Sequence, residues 1–407
     1  MRILILLPHP LLPPDRGNKH HTFNLLRYIT QIHDCHVIGF HEPGRPERRS
    51  WIDLEARLPR LKVLGVFEQV SGPRLQVERV RCLVHLRPFA LARYRNPAVK
   101  RCLESLDVSQ YDAVVFDMFT LVEWRALCSS RPCVLIASDA YSLEWFRAAR
   151  DARSFGTRLR LLLEAFLMLL VERREYPRFN VVSTVSEAAA EWLRRVAPRG
   201  IYRFVPLSID GPLLDGNSAA DPGKAPPMLL CWEAVSHEAV ATQVAAFLRR
   251  AWPEIRKAVP AAELLIWGDR PVPFLRKLIE RTPGVRHIGF VDDWIGTLKG
   301  AAVFVFPHRA TAGMHLKLMS AFAVGLPVVA APEAYGWFAL EEGVNAFTAR
   351  DWNGFRDICI DLLSDPQKRA RAGARARELM RNSFSNHRVG AQMIAVFNEG
   401  ILRHSAR

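Results

Sequence analysis

Three stretches of the chain combine residue types and spacings that could do chemistry. The first, Pro13-Pro14-Asp15-Arg16-Gly17-Asn18-Lys19-His20-His21, follows an apolar run near the N-terminus. A Gly-Asn pair leading into a helix start offers free backbone N–H groups and the positive helix end to an anion. Lys19, His20 and His21 add charge or proton-transfer capacity. Neither a dinucleotide fingerprint nor a Walker loop is present, and an ordinary strand-to-helix turn also calls for a glycine. The second stretch is Phe306 to Val329, FPHRATAGMHLKLMSAFAVGLPVV. A strand ends at Pro307, a loop with Gly313 follows, and the pattern predicts a helix running to Ala323, stopped by Gly325 and Pro327. Gly313, Lys317 and Ser320 then stand at i, i+4 and i+7 on one face, with Arg309 just ahead, which would make a diphosphate seat. A solvated surface lysine satisfies the same spacing. The third stretch is Gly268-Asp269-Arg270 directly after the apolar run LLIW. Open α/β sheets bind ligands at such strand ends, although Gly-Asp also marks many plain turns.

Absences narrow the chemistry. Asp292-Asp293 is an adjacent pair rather than an Asp-x-Asp metal motif, no nucleophile elbow of the G-x-S-x-G type occurs, and no His/Cys set has metal spacing. A transferase working without a metal is the expectation, with no metal site and no cofactor.

The elements that must position these residues alternate. Short apolar runs at Ile3–Leu7, His36–Phe40, Lys62–Val66, Ala113–Asp117, Val134–Ala137, Val181–Val185 and Arg203–Pro206 read as strands, with helical patterns between them, as at Thr22–Ile32. The Gly/Pro/Asp-rich stretch Gly211–Pro227 breaks the pattern and reads as a linker. Alternation restarts at Met228–Trp232, Glu263–Trp267, Val285–Phe290, Ala302–Phe306 and Pro327–Ala331. The expected organisation is an N-terminal domain 1–210, a linker 211–227, a C-terminal domain 228–385 and a final helix 386–407. Both domains should be parallel sheets covered on both faces, with a ligand cleft between them.

Composition sets the outer bounds. The 407 residues are 49% hydrophobic and 24% charged, an ordinary globular balance that excludes disordered or fibrous classes. Lys plus Arg number 56 against 41 Asp plus Glu, a net +15 that suits nucleotides, sugar phosphates, anionic lipid or nucleic acid. No recognition module for nucleic acid accompanies that charge, and no nucleic-acid partner is expected. Seven scattered cysteines without a C-x-x-C pair fit a reducing, cytoplasmic setting. The N-terminal run breaks on prolines and reads as a strand rather than a signal peptide. Leu159–Val171 is too short to span a membrane. Around it (Arg158–Arg178), and again over Arg74–Arg101, basic and apolar residues interleave. That pattern serves either a peripheral contact with a membrane face or the cation-rich outer side of core helices.

At the second stretch the sequence resembles the GT-B glycosyltransferases, in particular the retaining family 4 and its exopolysaccharide-type sugar transferases. Their P-P-D-x-G-x-K and F-N-L-L signatures match Pro13–Lys19 and Phe23–Leu26, and D-x-x-S matches Asp139–Ser142. The V-S-E segment matches Val185–Glu187, and Val205–Asp210 is similar to the segment before the family's linker. WPEIRKAVPAAELLIWG (252–268), GFVDD (289–293) and G-x-x-x-K-x-x-x-A-x-A-x-G-x-P-V-V (313–329) complete an ordered set covering nearly the whole chain. The resemblance implies two Rossmann-like doubly wound domains, with the last helix crossing back to the first. It also implies transfer of a sugar from a nucleotide-diphosphate donor, with retention, to a glycan, lipid-linked or small-molecule acceptor.

Carried over by position, Arg309 and Lys317 would neutralise the diphosphate as the catalytic pair. Gly17, Asn18 and Gly268 would serve the donor, Phe290 and Val291 would meet the base, and Gly313, Met314 and His315 would lie near the transferred sugar. Lys19, His20, His21, Asp117, Asp139 and Ser142 would stand on the acceptor side. The chain departs from the pattern at five places, two of them Asn18 for the loop's second glycine and Ser208 for the glycine of the Val-Pro-x-Gly segment. Ser320 replaces the acid that holds the ribose, Ala312 stands where many members carry Glu, and the run Cys231-Trp232-Glu233 lacks the usual glycine. These departures leave an alternative in which the chain is a non-catalytic relative that binds a partner or a glycan.

Overall fold

The first strand, β1 (Arg2–Leu7), is buried on both sides: Ile3, Ile5 and Leu7 enter one apolar cluster, Leu4 and Leu6 another. Such double burial belongs to a parallel sheet with helices on both faces, and explains the unbroken run ILILL. The computed structural model describes residues 1–13, 17–44, 48–152, 154–209, 211–214, 219–308, 314–335 and 340–406. Among these, β1 is joined by β2 (Asp34–His41), β3 (Leu61–Glu68), β4 (Ala113–Asp117), β5 (Cys133–Ser138), β6 (Val181–Thr184) and β7 (Tyr202–Phe204). Their order is β3-β2-β1-β4-β5-β6-β7, all neighbours parallel.

A second sheet contains β8 (Met228–Trp232), β9 (Glu263–Trp267), β10 (Val285–His287), β11 (Val303–Phe306), β12 (Val328–Ala330) and β13 (Phe347–Thr348). Its order is β10-β9-β8-β11-β12-β13, again parallel throughout. In both sheets the winding direction reverses once, between β1 and β4 and between β8 and β11. In doubly wound sheets that switch point, at the carboxyl ends of the strands, is where ligands bind.

Contacts divide the chain into a unit of Met1–Ser208 with Asn386–Arg407 and a unit of Ile209–Ser385. The helix Asn386–Ser405 thus belongs to the first unit. Val389, Met393, Val396 and Phe397 complete a cluster with β1, β5 and the helix Gly17–Ile32. Gly390 permits the closest approach, since a Cβ there would overlap the Tyr28 ring. Arg203 closes the seam with two hydrogen bonds to the Glu399 carboxylate, 2.7 and 2.9 Å. The stretch expected as a linker is more ordered than its composition implied. Gly211–Leu214 is helical, Ala220 N donates to Val324 O at 2.6 Å, and Arg369 donates to Pro222 O at 2.7 Å, all within the second unit.

Candidate functional site at the two switch points

In the second unit the switch point is formed by the residues after β8 and β11. Glu233 leaves β8 held by its own backbone: its N–H donates to Trp267 O at 2.9 Å. Its carbonyl oxygen occupies the space a Cβ would take at Gly268, whose φ is +152°. Gly268 is therefore required by close packing of two strand ends, a reason for the glycine independent of any ligand. Trp232 and Trp267 stack with centroids 4.0 Å apart on the two strands.

The Glu233 side chain turns inward, 3% exposed, and Oε2 accepts a hydrogen bond from Lys317 Nζ at 3.1 Å. Oε1 is buried with no partner. Burial raises the carboxyl pKa, and Lys317 pulls it back down. Lys317 keeps 27% of its side chain exposed, so the ammonium touches both Glu233 and solvent. The charge departure seen in the sequence as a missing glycine thus supplies a partner for the lysine. A carboxylate directly after an apolar strand run was the available signal.

The helix carrying Lys317 is Leu316–Val324, capped by His315 in extended conformation. The expected helix was to present Gly313 on the same face; it starts later, because His315 (φ −93°, ψ 102°) has not entered it. Lys317 stands in its first turn, where the helix dipole also favours an anion. The His315 ring packs on Phe306 at 5.2 Å, and its pKa is lowered to about 4, first by burial and then by His308 and Lys317. At neutral pH it is uncharged and brings no cation to the seat. Ser320 is buried and donates its hydroxyl proton to Leu316 O at 2.8 Å, spending its one donor on its own helix. Met314 is buried beside them. Arg309 and Gly313, expected in the diphosphate seat, lie outside the described residues.

On the other side of β9, Gly268, Asp269, Arg270, His287, Gly289 and Phe290 line a cavity of about 750 Å³. Asp269 braces its wall by accepting from Ser236 N at 3.1 Å and from the Ser236 hydroxyl, while His287 Nε2 lies 3.0 Å from Asp269 O. The structure brings Gly268 and the exposed Phe290 together here, whereas Val291 is not among the lining residues.

The first unit's switch point gathers the other group. Asn18, in the first turn of Gly17–Ile32, places Nδ2 2.8 Å from His9 Nε2 after β1 and 3.5 Å from Met118 Sδ after β4. Met118 (φ +76°) and Ser138 (φ +64°) end the central strands β4 and β5 in the left-handed region. Non-glycine residues hold such conformations at some cost, and they concentrate at functional strand ends. Gly17 is exposed and Lys19 and His20 are half-buried. His20 Nδ1 lies 3.1 Å from Asn24 Nδ2.

Several residues expected on the acceptor side are sealed instead. Asp117 is buried and accepts from Thr22 Oγ1 at 3.0 Å, fastening the helix to β4; burial pushes its pKa up to about 7, against the Thr22 hydrogen bond. His21 is buried with neither ring nitrogen partnered, and burial, with His20 next, lowers its pKa to about 3. Ser142 is fully buried. Its N–H donates to Glu172 Oε1 at 3.0 Å, its hydroxyl donates to Glu172 Oε2, and Trp192 Nε1 donates to Ser142 Oγ at 2.9 Å. Ser142 therefore ties helices together rather than meeting an acceptor. Asp139, two residues before the helix Tyr141–Asp151, accepts from Ala140 N at 2.9 Å, with its pKa raised by burial. Among the described residues, no group of three His, Cys, Asp or Glu could hold a metal ion.

Comparison with known proteins fits this geometry. Residues 229–365, which contain β9 to β13, Lys317 and all of β8 but its first residue, match the family model described as glycosyl transferases group 1. The match covers 137 of the 407 residues, all within the second unit. A relative from Corynebacterium glutamicum, a GDP-mannose-dependent monoacylated alpha-(1-6)-phosphatidylinositol monomannoside mannosyltransferase, is 29% identical over 161 residues. That match takes in 36% of this chain and 41% of the relative, so it spans about two fifths of the relative's length. Among solved structures, Anabaena HepE in complex with UDP and glucose superposes with a TM-score of 0.66 at 15% identity, covering 98% of this chain and 99% of that one. Sucrose-phosphate synthase from Thermosynechococcus elongatus gives 0.66 at 16%, covering 98% of each. Both likenesses establish the fold: this is the GT-B architecture of two Rossmann-like units, here with seven and six strands.

Proposed function

We propose that the second unit binds a nucleotide-diphosphate sugar and that the chain transfers the sugar to an acceptor hydroxyl. The observation that carries the reading is Lys317, a partly exposed ammonium in the first turn of a helix at the β8/β11 switch point, inside the segment matched to the family. In the transfer the bond from the anomeric carbon to the diphosphate oxygen breaks, and its electron pair leaves with the diphosphate. A bond to the acceptor oxygen forms, and the acceptor's proton departs. Charge grows on the leaving oxygen, and Lys317 with the helix N–H groups is placed to meet it. His315 and His308 are held towards neutrality by burial, so the lysine carries the described positive charge of the seat.

Hexosyl transfer with retention rests on the family resemblance. A metal-free course rests on the absence of an Asp-x-Asp motif and on cationic stabilisation of the leaving group. The named donor of the Corynebacterium relative is GDP-mannose and its acceptor a lipid-linked mannoside, which favours a lipid-linked acceptor over a free glycan or small molecule. A reducing, cytoplasmic setting suits seven free cysteines, six of them buried.

A second reading has its own observation. Glu233 already neutralises Lys317, as it would in a relative that binds without transferring. One experiment separates the two. The chain is mixed with a panel of nucleotide sugars in EDTA, and thermal shift, turnover and product anomer are recorded. A donor at 100 times its dissociation constant adds about 2.7 kcal/mol of stability. Lys317→Ala should still fold, with a lowered unliganded melting temperature because Glu233 is left buried without its cation, and should lose about 30- to 1,000-fold in turnover, roughly 2–4 kcal/mol of transition-state stabilisation. Turnover unchanged in Lys317→Ala, or activity abolished by EDTA and restored by Mg²⁺, would overturn the mechanism. A thermal shift without turnover would favour the binding relative.

A further inference from the structure

Two helices of the first unit turn their apolar sides outwards. On Phe155–Arg174, Phe155, Leu159, Leu162, Leu163 and Phe166 are all exposed, Phe155 by 81%. Their spacing of i, i+4, i+7, i+8 and i+11 puts them on one face, opposite Ala165, Met168 and Glu172, which are buried. On Gly72–Val84 the same occurs with Val77, Val80 and Val84, the last 72% exposed, while Leu75, Glu78 and Cys82 face the core. Amphipathic helices of globular proteins bury such stripes, and contiguous exposed apolar patches mark interaction sites.

The two helices are linked through the segment that follows the first. Phe89 N, just past the first helix, donates to Glu164 Oε2 of the other at 3.1 Å, and Arg87 Nη2 donates to Glu175 Oε1 at 3.0 Å. Glu164 also lies in the fields of Arg79 and Arg160, one from each helix.

The exposed charges of the two helices have one sign, with Arg81 paired to the buried Glu78 at 2.7 Å. Arg74, Arg81, Arg158 and Arg160 are exposed, whereas no carboxylate of either helix is: Glu78 and Glu172 are buried, and Glu164 is half-buried and bonded to Phe89. Beside Gly72–Val84 a cavity of about 730 Å³ is walled by Arg74, Arg81, Arg87 and Arg95; Arg81 is paired with Glu78, Arg87 with Glu123 and Glu175, and Arg95 with Glu123, so it is Arg74 that adds charge to the surface.

We propose that the first unit docks on an anionic lipid bilayer through this surface, the apolar faces entering the interface and the arginines meeting lipid phosphates. Helices of this kind lie in the interface, buried to the acyl boundary, and basic residues add attraction to anionic headgroups. No described helix is long and apolar enough to cross a membrane. A symmetric second copy would set arginine against arginine, so charge complementarity selects the bilayer. The surface deepens the preference for a lipid-linked acceptor, yet its test reads lipid binding alone, and so fails or succeeds independently of sugar transfer.

The full chain is sedimented with vesicles of phosphatidylcholine alone and with vesicles containing phosphatidylglycerol. Binding is expected only to the second, weakening with salt. Phe155→Ser and Phe166→Ser should each lower affinity about tenfold, and Arg158→Ser about fivefold. These side chains are exposed, so the melting temperature should hold; Val84→Ser on the other helix tests the same surface should either Phe variant misfold. Chain that stays in the supernatant with both vesicles, binds neutral vesicles equally, or forms a dimer dispersed by Phe155→Ser would overturn the proposal.

Discussion

At the scale of single residues, the decisive pair is Glu233 and Lys317. On the proposed reading, a nucleotide sugar would bring two fixed negative charges to a lysine already shared with a buried carboxylate. The diphosphate would then compete with Glu233 and disfavour its ionised form, so donor binding should draw a proton onto a carboxyl whose pKa burial has already raised. The sign follows: donor affinity rises as pH falls towards that carboxyl's range and weakens as pH climbs above it. Glu233→Gln removes the competing charge and should tighten nucleotide-sugar binding about tenfold at neutral pH, around 1.4 kcal/mol, and flatten the pH dependence. Calorimetric titration of both proteins across pH measures this. Weaker binding in Glu233→Gln would mean that the carboxylate positions the lysine for the donor instead of withholding it.

At the scale of elements, the ends of β8 and β9 act as one piece. The Glu233 carbonyl fills the space beside Gly268, its N–H reaches Trp267 O, and two stacked tryptophans lock the strands. Gly268→Ala would place a Cβ against a backbone oxygen at a φ of +152°, with no flexible atom to give way. The expected loss is about 2–4 kcal/mol of stability, from strain and overlap together. Because the displaced residue is Glu233, nucleotide-sugar binding should change as well. A normal melting curve with normal binding would show that the strand ends adjust freely.

At the scale of the molecule, the first unit is built from two separated lengths of chain. Its sheet is covered on one face partly by the final helix, whose Val389, Met393, Val396 and Phe397 are buried. Removing residues 386–407 uncovers that cluster. At about 1.5–3 kcal/mol for each large apolar side chain, the loss rivals the whole stability of a domain, about 5–15 kcal/mol. A chain ending at 385 should lose the cooperative melting of the first unit and aggregate. Retention of a native melting transition would show that the helix is dispensable.

The apolar runs of the sequence determined the two sheets: all twelve expected strands are present, because a strand buried on both faces leaves an unmistakable local record. β13 was missed, being only Phe347–Thr348, and so was the helical order after Gly211. The sequence also determined that Lys317 follows a strand end within a family pattern. Tertiary structure alone decided what surrounds each polar side chain. It buried Asp117 and Ser142, which the motif placed on the acceptor side, because Thr22 and Glu172 claim them from distant positions. It joined Glu233 to Lys317 across 84 residues. And it left Phe155 and Val84 facing outwards, where an apolar periodicity alone describes a core helix equally well. Local patterns encode which residues share a face; what that face meets depends on chain folded back from elsewhere.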